Sequence, residues 1–117
     1  MDIKIRNVGD VVVFEISGDF TRTDYAVPTL HDLTSAQLHA GKRNILFDFD
    51  KTEFVDSFGV GQIIASYTST TKLGGGFKIC SVPRRLLLVL TIVGLVPRVL
   101  SVYRNEAAAL ESFAHPS

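Results

Sequence analysis

Runs of apolar and β-branched residues alternate along this chain with segments of helical periodicity, and this alternation constrains the fold most. The runs are Val11–Ile16, Asn44–Asp50, Phe77–Val82 and Val99–Tyr103. Such runs favour strands. Because strands that alternate with helices usually pair in parallel through crossover connections, the pattern predicts an α/β fold.

A hairpin is expected to begin the sheet. Ile3 and Ile5 alternate with polar residues and predict a short first strand, which the turn pair Gly9-Asp10 joins to the second. The predicted order is β-β-α-β-α-β-α-β-α, a small mixed sheet with a layer of helices that need not cover both faces equally. A chain of 117 residues fits a single domain, residues 1–117.

Capping residues and apolar spacing predict the helices between these strands. The first helix is expected to have its N-cap within residues 21–24, Pro28 in its first turn and Gly41 after its end. Pro83 starts the third helix, and Asn105 caps a last helix over residues 106–114. The apolar face of the second helix is predicted to consist of Val60, Ile63, Ile64 and Tyr67.

Charge, cysteine content and hydropathy exclude several classes of protein. Twelve basic and twelve acidic residues give no net charge, so only a local patch could attract nucleic acid or an anionic membrane. The single cysteine, Cys80, cannot form an internal disulfide and is expected to be a small buried residue. The longest apolar stretch, Leu86–Val96, is shorter than the roughly 20 residues that span a bilayer. A cytoplasmic protein is expected.

Catalytic and metal-binding patterns are weak throughout. His31, His39 and His115 have no cysteine or carboxylate at a metal-ligand spacing, so surface positions are expected. Asp48 and Asp50 alternate with phenylalanines in one strand, and this favours a solvated face over a catalytic pair. No catalytic residue, metal or cofactor is predicted.

The segment 54–61 is the most informative. Gly59 and Gly61 lie in the first turns of a predicted helix, where each costs about 1 kcal/mol relative to alanine. Close approach by another backbone or a partner would offset that cost. Asp56 and Ser57 are both N-cap types, and a phosphate on Ser57 would meet free N–H groups at the positive end of the helix dipole. An ordinary helix start without function explains the same residues equally well.

The residues 56–61, Asp-Ser-Phe-Gly-Val-Gly, resemble the D-S-[ST]-G-[LV]-G signature of STAS domains of the anti-sigma-factor antagonist type. Further segments resemble the same family in the same order: Val11–Asp19 its opening strand, Leu73–Gly75 a turn, and Pro83–Leu95 its third helix. The resemblance therefore covers nearly the whole chain.

The resemblance implies a non-enzymatic switch. Ser57 would be the phosphorylation site, the anti-sigma-factor serine kinase the partner, and a metal-dependent serine phosphatase the enzyme that resets it. The unphosphorylated domain would bind the kinase and release a sigma factor, as a monomer or weak dimer without nucleic acid or membrane. The partner surface would comprise the loop after the second strand and the start of the second helix: Phe20, Thr21, Thr23, Asp24, Asp56, Ser57, Phe58, Gly59, Val60 and Gly61.

Phe58 departs from the signature, which has Ser or Thr at this position. The triplet Asp-Ser-Phe resembles STAS scaffold proteins of stressosome-like assemblies, so a scaffold subunit is an alternative to the antagonist. A STAS module that binds a nucleotide or a small apolar molecule is a further alternative. Phe58 could be an exposed anchor for a partner or a core residue, and the sequence supports both equally.

Overall fold

Five strands form one mixed sheet in the computed structural model, which describes residues 1–24 and 27–115. The strands are β1 (Asp2–Val8), β2 (Val11–Phe20), β3 (Asn44–Val55), β4 (Gly76–Cys80) and β5 (Ser101–Tyr103). The helices that connect or follow them are α1 (Leu30–His39), α2 (Ser57–Lys72), α3 (Arg84–Ile92) and α4 (Glu106–Ala114). This order is the predicted one.

The order of the strands in the sheet is also their order along the chain. β1 and β2 pair antiparallel through the predicted turn, in which Gly9 has a φ of 62°. β2, β3, β4 and β5 pair in parallel. The predicted mixed sheet is therefore confirmed, with the antiparallel strand at one edge.

Two apolar clusters lie on opposite faces of the sheet, because successive strand residues alternate sides. The larger cluster joins Phe14 and Phe47 to residues of the first three helices, such as Leu30, Ile63 and Leu90. The smaller one joins Val13, Leu46 and Cys80 to Ala109 of α4. One face thus carries α1, α2 and α3 and the other only α4, the unequal coverage that the sequence allowed.

The start of α1 differs from the prediction. Its N-cap is Thr29, whose hydroxyl accepts from the Asp32 N–H at 3.1 Å while the Asp32 carboxylate accepts from the Thr29 N–H at 3.1 Å. Residues 21–24 instead form a tight turn, closed by the Asp24 N–H on the Thr21 carbonyl at 3.2 Å. Pro28 therefore precedes the helix. Of the predicted helix residues, Ala26 lies outside the described residues.

Other predicted features are wrong in part. Of the predicted apolar face of α2, Ile63 is buried and Val60 and Tyr67 pack against the core, whereas Ile64 is exposed. Ser66 and Thr70 also take buried positions on this helix. β2 continues past Gly18 by two residues, through a change of register next to that glycine. Asp48 is buried, whereas a solvated face was expected. Cys80 is buried as expected.

Candidate functional site

The start of α2 lies beside the end of β2, at the edge where parallel strands present their carboxyl ends. Phe20 pairs with Val55 in the sheet register, and the Asp56 N–H donates to the Phe20 carbonyl at 3.3 Å. The turn 21–24 therefore starts where α2 starts. The two segments that the resemblance assigned to one partner surface are neighbours.

The Asp56 side chain joins these two segments. One carboxylate oxygen, Oδ1, accepts from the Gly59 N–H at 3.1 Å and caps α2. The other, Oδ2, accepts from the Arg22 N–H at 3.0 Å. The pKa of Asp56 is lowered, first because of the Arg22 N–H bond and further because of the Gly59 N–H. A charged carboxylate thus fixes the turn against the helix.

Ser57 is exposed and is the first residue of α2. Asp56 rather than Ser57 is the N-cap, which resolves the two possibilities that the sequence left open. The first turn of a helix presents backbone N–H groups without partners inside the helix. Ser57 therefore lies at the positive end of the α2 dipole, next to the carboxylate that caps the helix.

The two glycines of this segment have different surroundings. A Cβ on Gly59 would lie 2.5 Å from Val55 Cγ1 and 2.6 Å from the Phe20 carbonyl oxygen, closer than real side chains approach. Gly59 thus lets α2 pack on the ends of β2 and β3. A Cβ on Gly61 would meet nothing within 4 Å. Of these two glycines, Gly59 alone has the close backbone approach that the sequence suggested for both.

The remaining predicted site residues divide into supports and surface residues. Phe20 and Gly59 are buried, so their assignment to a contact surface is corrected. They pack inside the domain and support the exposed residues of the site. Phe58 is half-buried and packs edge-on against Phe20, with ring centroids 6.4 Å apart. Thr21 and Val60 are half-buried too. The predicted site residues that are exposed are Thr23, Asp24, Ser57 and Gly61.

Sequence reasoning missed Arg22, which lies between two predicted site residues. Its backbone N–H, rather than its side chain, holds Asp56. A backbone contact leaves no signal in the residue type, so the sequence had no pattern that could have identified it. The Arg22 side chain is exposed, and its positive charge also lowers the pKa of Asp56.

A second polar cluster lies near α4, away from this site. Arg6 pairs with Glu106 of α4 and with Glu15, the latter at 2.7 Å. Asp48 is buried nearby, and burial raises its pKa. The pKa of Cys80 is raised to about 12, also because of burial. A thiol with that pKa is not a nucleophile at neutral pH.

The described parts of the chain hold no group of three or more His, Cys, Asp or Glu side chains placed to bind a metal ion. Within residues 1–24 and 27–115, no helix has the length and hydropathy needed to span a bilayer.

Comparisons with known proteins agree with this geometry. A family model described as STAS domain matches residues 2–109. A comparison with curated protein sequences finds no match. Among solved structures, one similar chain is a candidate anti-sigma factor antagonist of Thermotoga maritima. It has 22% identity, coverage of 97% of this chain and 95% of that one, and a TM-score of 0.82.

Two other solved structures are similar over their whole length. SpoIIAA, a cell fate determinant of Bacillus solved in its phosphorylated form, has 20% identity, coverage of 96% and 99%, and a TM-score of 0.78. A chain of the stressosome, described as a signal integration and transduction hub, has 22% identity, coverage of 95% and 96%, and a TM-score of 0.73. At such identities the likeness establishes the fold.

Proposed function

Since the chain belongs to the STAS domain family, we propose that it is a phosphorylation-switched interaction domain of the anti-sigma factor antagonist type. Unphosphorylated, it binds an anti-sigma-factor serine kinase in the cytoplasm and so releases a sigma factor. The kinase phosphorylates Ser57, and a serine phosphatase restores the free hydroxyl. The domain itself catalyses nothing. The observation that carries this proposal is the exposed Ser57 directly after Asp56, whose carboxylate fixes the adjoining turn.

Charge and shape explain how such a switch would work. A phosphate on Ser57 adds about −1.5 to −2 charges beside Asp56, whose lowered pKa keeps it ionised. The N–H groups and dipole of α2 tolerate this charge, so the fold is expected to stay unchanged. A partner packed over the open position at Gly61 would be repelled and blocked. A loss of about 3 to 4 kcal/mol weakens binding several hundredfold.

The likeness to a phosphorylated protein supports this proposal. SpoIIAA has been solved with its phosphate and has the same fold as this chain. A phosphorylated domain of this fold is therefore stable enough to be solved. The same stability is proposed for this chain with a phosphate on Ser57.

Mass spectrometry tests the modification. The protein is mixed with ATP and each serine kinase encoded beside its gene, and a phosphate is expected on Ser57. Ser101 is another exposed serine among the described residues, so Ser101→Ala is a matched control that should still be phosphorylated. Ser57→Ala should not be. A phosphate that persists on Ser57→Ala, or none on the native chain with any of these kinases, contradicts the proposal.

A scaffold role in a larger assembly is the second candidate, and the likeness to a stressosome chain favours it. Phe58 bears on this choice because it departs from the antagonist signature and matches the scaffold triplet. Its ring is half-buried against Phe20 and still reaches the surface. Size-exclusion chromatography with light scattering separates the two roles. The antagonist is expected to elute as a monomer or dimer, and a scaffold subunit as a large complex. Calorimetric titration with nucleotides and lipids tests the ligand-binding alternative.

A further inference from the structure

The zero net charge of the chain conceals an uneven distribution along the sequence. No aspartate or glutamate occurs between Asp56 and Glu106, so residues 57–105 contain none of the twelve acidic residues. The same segment contains six of the twelve basic residues: Lys72, Lys78, Arg84, Arg85, Arg98 and Arg104. This segment of the sequence therefore carries an excess of six positive charges, and the rest of the chain an equal negative excess.

The helix α3 lies within this basic segment and exposes aliphatic side chains. Leu86 and Leu90 are buried and hold the helix on the core. On the outward side, Leu88 is 59% exposed and Ile92 is 74% exposed. They follow Arg84 at intervals of four residues, which places all three along one line of the helix surface. Val89, Val93 and Val99 extend the exposed apolar surface.

Arginines flank this surface at both ends along the chain. Arg84 and Arg85 form the first turn of α3, and Arg98 follows the helix; all three are exposed. An apolar line with basic residues at its ends is the arrangement of helices that lie in the interface of a membrane. Their aliphatic side chains enter the acyl region while arginines reach the headgroups.

Contrary to the expectation of a domain without a membrane partner, we propose that the outward side of α3 docks on an anionic lipid surface. The helix is already folded and anchored by Leu86 and Leu90, so docking requires no refolding. Contact would be peripheral, since none of the described helices can span a bilayer. Each arginine near such a surface adds attraction to anionic headgroups. The inference is independent of the switch at Ser57.

A second copy of this chain fits the surface less well. A symmetric pairing through α3 would bring Arg84 and Arg85 of the two copies together, and the acidic side chain that lines the same cavity as Arg85 and Val89 is the single Glu53. A head-to-tail pairing would need an acidic surface with exposed apolar residues. Among the described residues outside the basic segment, Val27 and Phe54 are the exposed large hydrophobic side chains. Phe54 lines one cavity with Glu53, Arg85 and Val89, so it lies beside α3 and does not form a separate acidic surface. A convex helix also suits a deformable lipid surface, whereas a protein partner would have to present a matching groove.

Co-sedimentation with lipid vesicles tests the proposal. One vesicle is phosphatidylcholine alone, and the other contains about one third phosphatidylglycerol. The native protein should bind the anionic vesicle at least about tenfold more tightly, and added salt should weaken that binding. The double variant Leu88→Ser/Ile92→Ser should lose it. Leu73→Ser, which changes a similarly exposed leucine of the same basic segment at the end of α2, should bind as the native chain does.

A charge variant keeps the test decisive if the apolar variant fails to fold. Arg84→Gln/Arg85→Gln changes two exposed side chains and should weaken binding to the anionic vesicle by roughly tenfold. Equal binding to both vesicles, or none at low salt, overturns the proposal. An equal loss in Leu73→Ser overturns it too. A native dimer that becomes monomeric in Leu88→Ser/Ile92→Ser would assign the surface to a second copy instead.

Discussion

Asp48 and Asp56 belong to one stretch of chain, yet folding shifts the pKa values of their carboxyl groups in opposite directions. Asp56 lies at the carboxyl end of β3, accepts two backbone N–H bonds and has a lowered pKa. Asp48 lies within β3, is buried, and has a pKa raised by burial. The difference is the balance between burial and N–H donors. Asp48 accepts one backbone N–H, from Asp50 at 3.0 Å, and burial outweighs it. The start of α2 and the turn 21–24 give Asp56 two such bonds, which outweigh its desolvation.

This comparison explains why Ser57 is a suitable place for a phosphate. The region around Asp56 already stabilises one charged group, and the first turn of α2 extends the same field. A charge added near Asp48 would instead meet burial and the repulsion of Asp50 and Glu106. We therefore expect that charge can be added at this end of the sheet while the fold stays the same.

The largest expected effect comes from the packing beneath the charged site. Gly59→Ala forces a Cβ against Val55 and the Phe20 carbonyl, so it should lower the free energy of unfolding by about 1–3 kcal/mol. Gly61→Ala is the matched control in open space, and should raise that free energy by up to about 1 kcal/mol. Urea denaturation measures both. Equal stabilities for the two variants would mean that the end of β2 does not support the site.

Removal of the Asp56 carboxylate is expected to have the next largest effect. Asp56→Ala leaves the N–H groups of Gly59 and Arg22 without their acceptor and should lower the free energy of unfolding by about 1–2 kcal/mol at neutral pH. Urea denaturation measures the loss. Asp56→Asn keeps an acceptor and should lose less. An Asp56→Ala variant as stable as the native chain would contradict the role of this carboxylate.

The pH dependence of that loss tests the charge itself. Because folding lowers the pKa of Asp56, the stability that its charge contributes is present above the unfolded pKa. That stability is lost as the pH falls through the folded pKa. The difference between the native chain and Asp56→Asn should therefore shrink in acid. A difference that is constant from neutral pH to acid would mean that the charge of Asp56 contributes nothing.

Asp48→Asn should have the smallest effect and the opposite sign. Folding raises the pKa of Asp48, so the native chain loses stability as the pH rises through that pKa, and an amide avoids the loss. The variant should be more stable by up to about 1 kcal/mol at neutral pH, with the gain absent in acid. Asp50→Asn, at an exposed neighbour, should change little. Thermal unfolding at both pH values measures the two. A destabilised Asp48→Asn would show that the buried charge is needed.

The sequence was sufficient for the order of elements because alternation and capping act locally. Asn105 caps α4 where the prediction put it, with its side chain accepting from the Ala108 N–H at 2.8 Å. The start of α1 was predicted wrongly because Thr21, Thr23 and Asp24 offer capping side chains as Thr29 does. The choice depends on the reciprocal bonds between Thr29 and Asp32 and on the sheet that holds residue 20.

The sequence identified most residues of the candidate site but missed Arg22, and it did not separate buried residues from exposed ones. The resemblance brought Asp56, Ser57 and the two glycines together, and the geometry then separated buried Gly59 from open Gly61. No pattern in the sequence predicts the burial of Asp48, because it follows from the packing of α4, a helix far along the chain, on the same face of the sheet. The sequence did not predict that α3 exposes apolar side chains, because the apolar composition of residues 86–96 is equally typical of a buried helix.

The affinity for the partner serine kinase tests the central claim, a phosphorylation switch at Ser57, most directly. Isothermal titration calorimetry would compare the native chain with Ser57→Asp and Ser57→Ala, each first shown to unfold at the native temperature. Ser57→Asp should bind at least about tenfold more weakly, since it adds a charge at the contact, and Ser57→Ala should stay within a few-fold of native. A Ser57→Asp variant that binds as tightly as the native chain would contradict the switch.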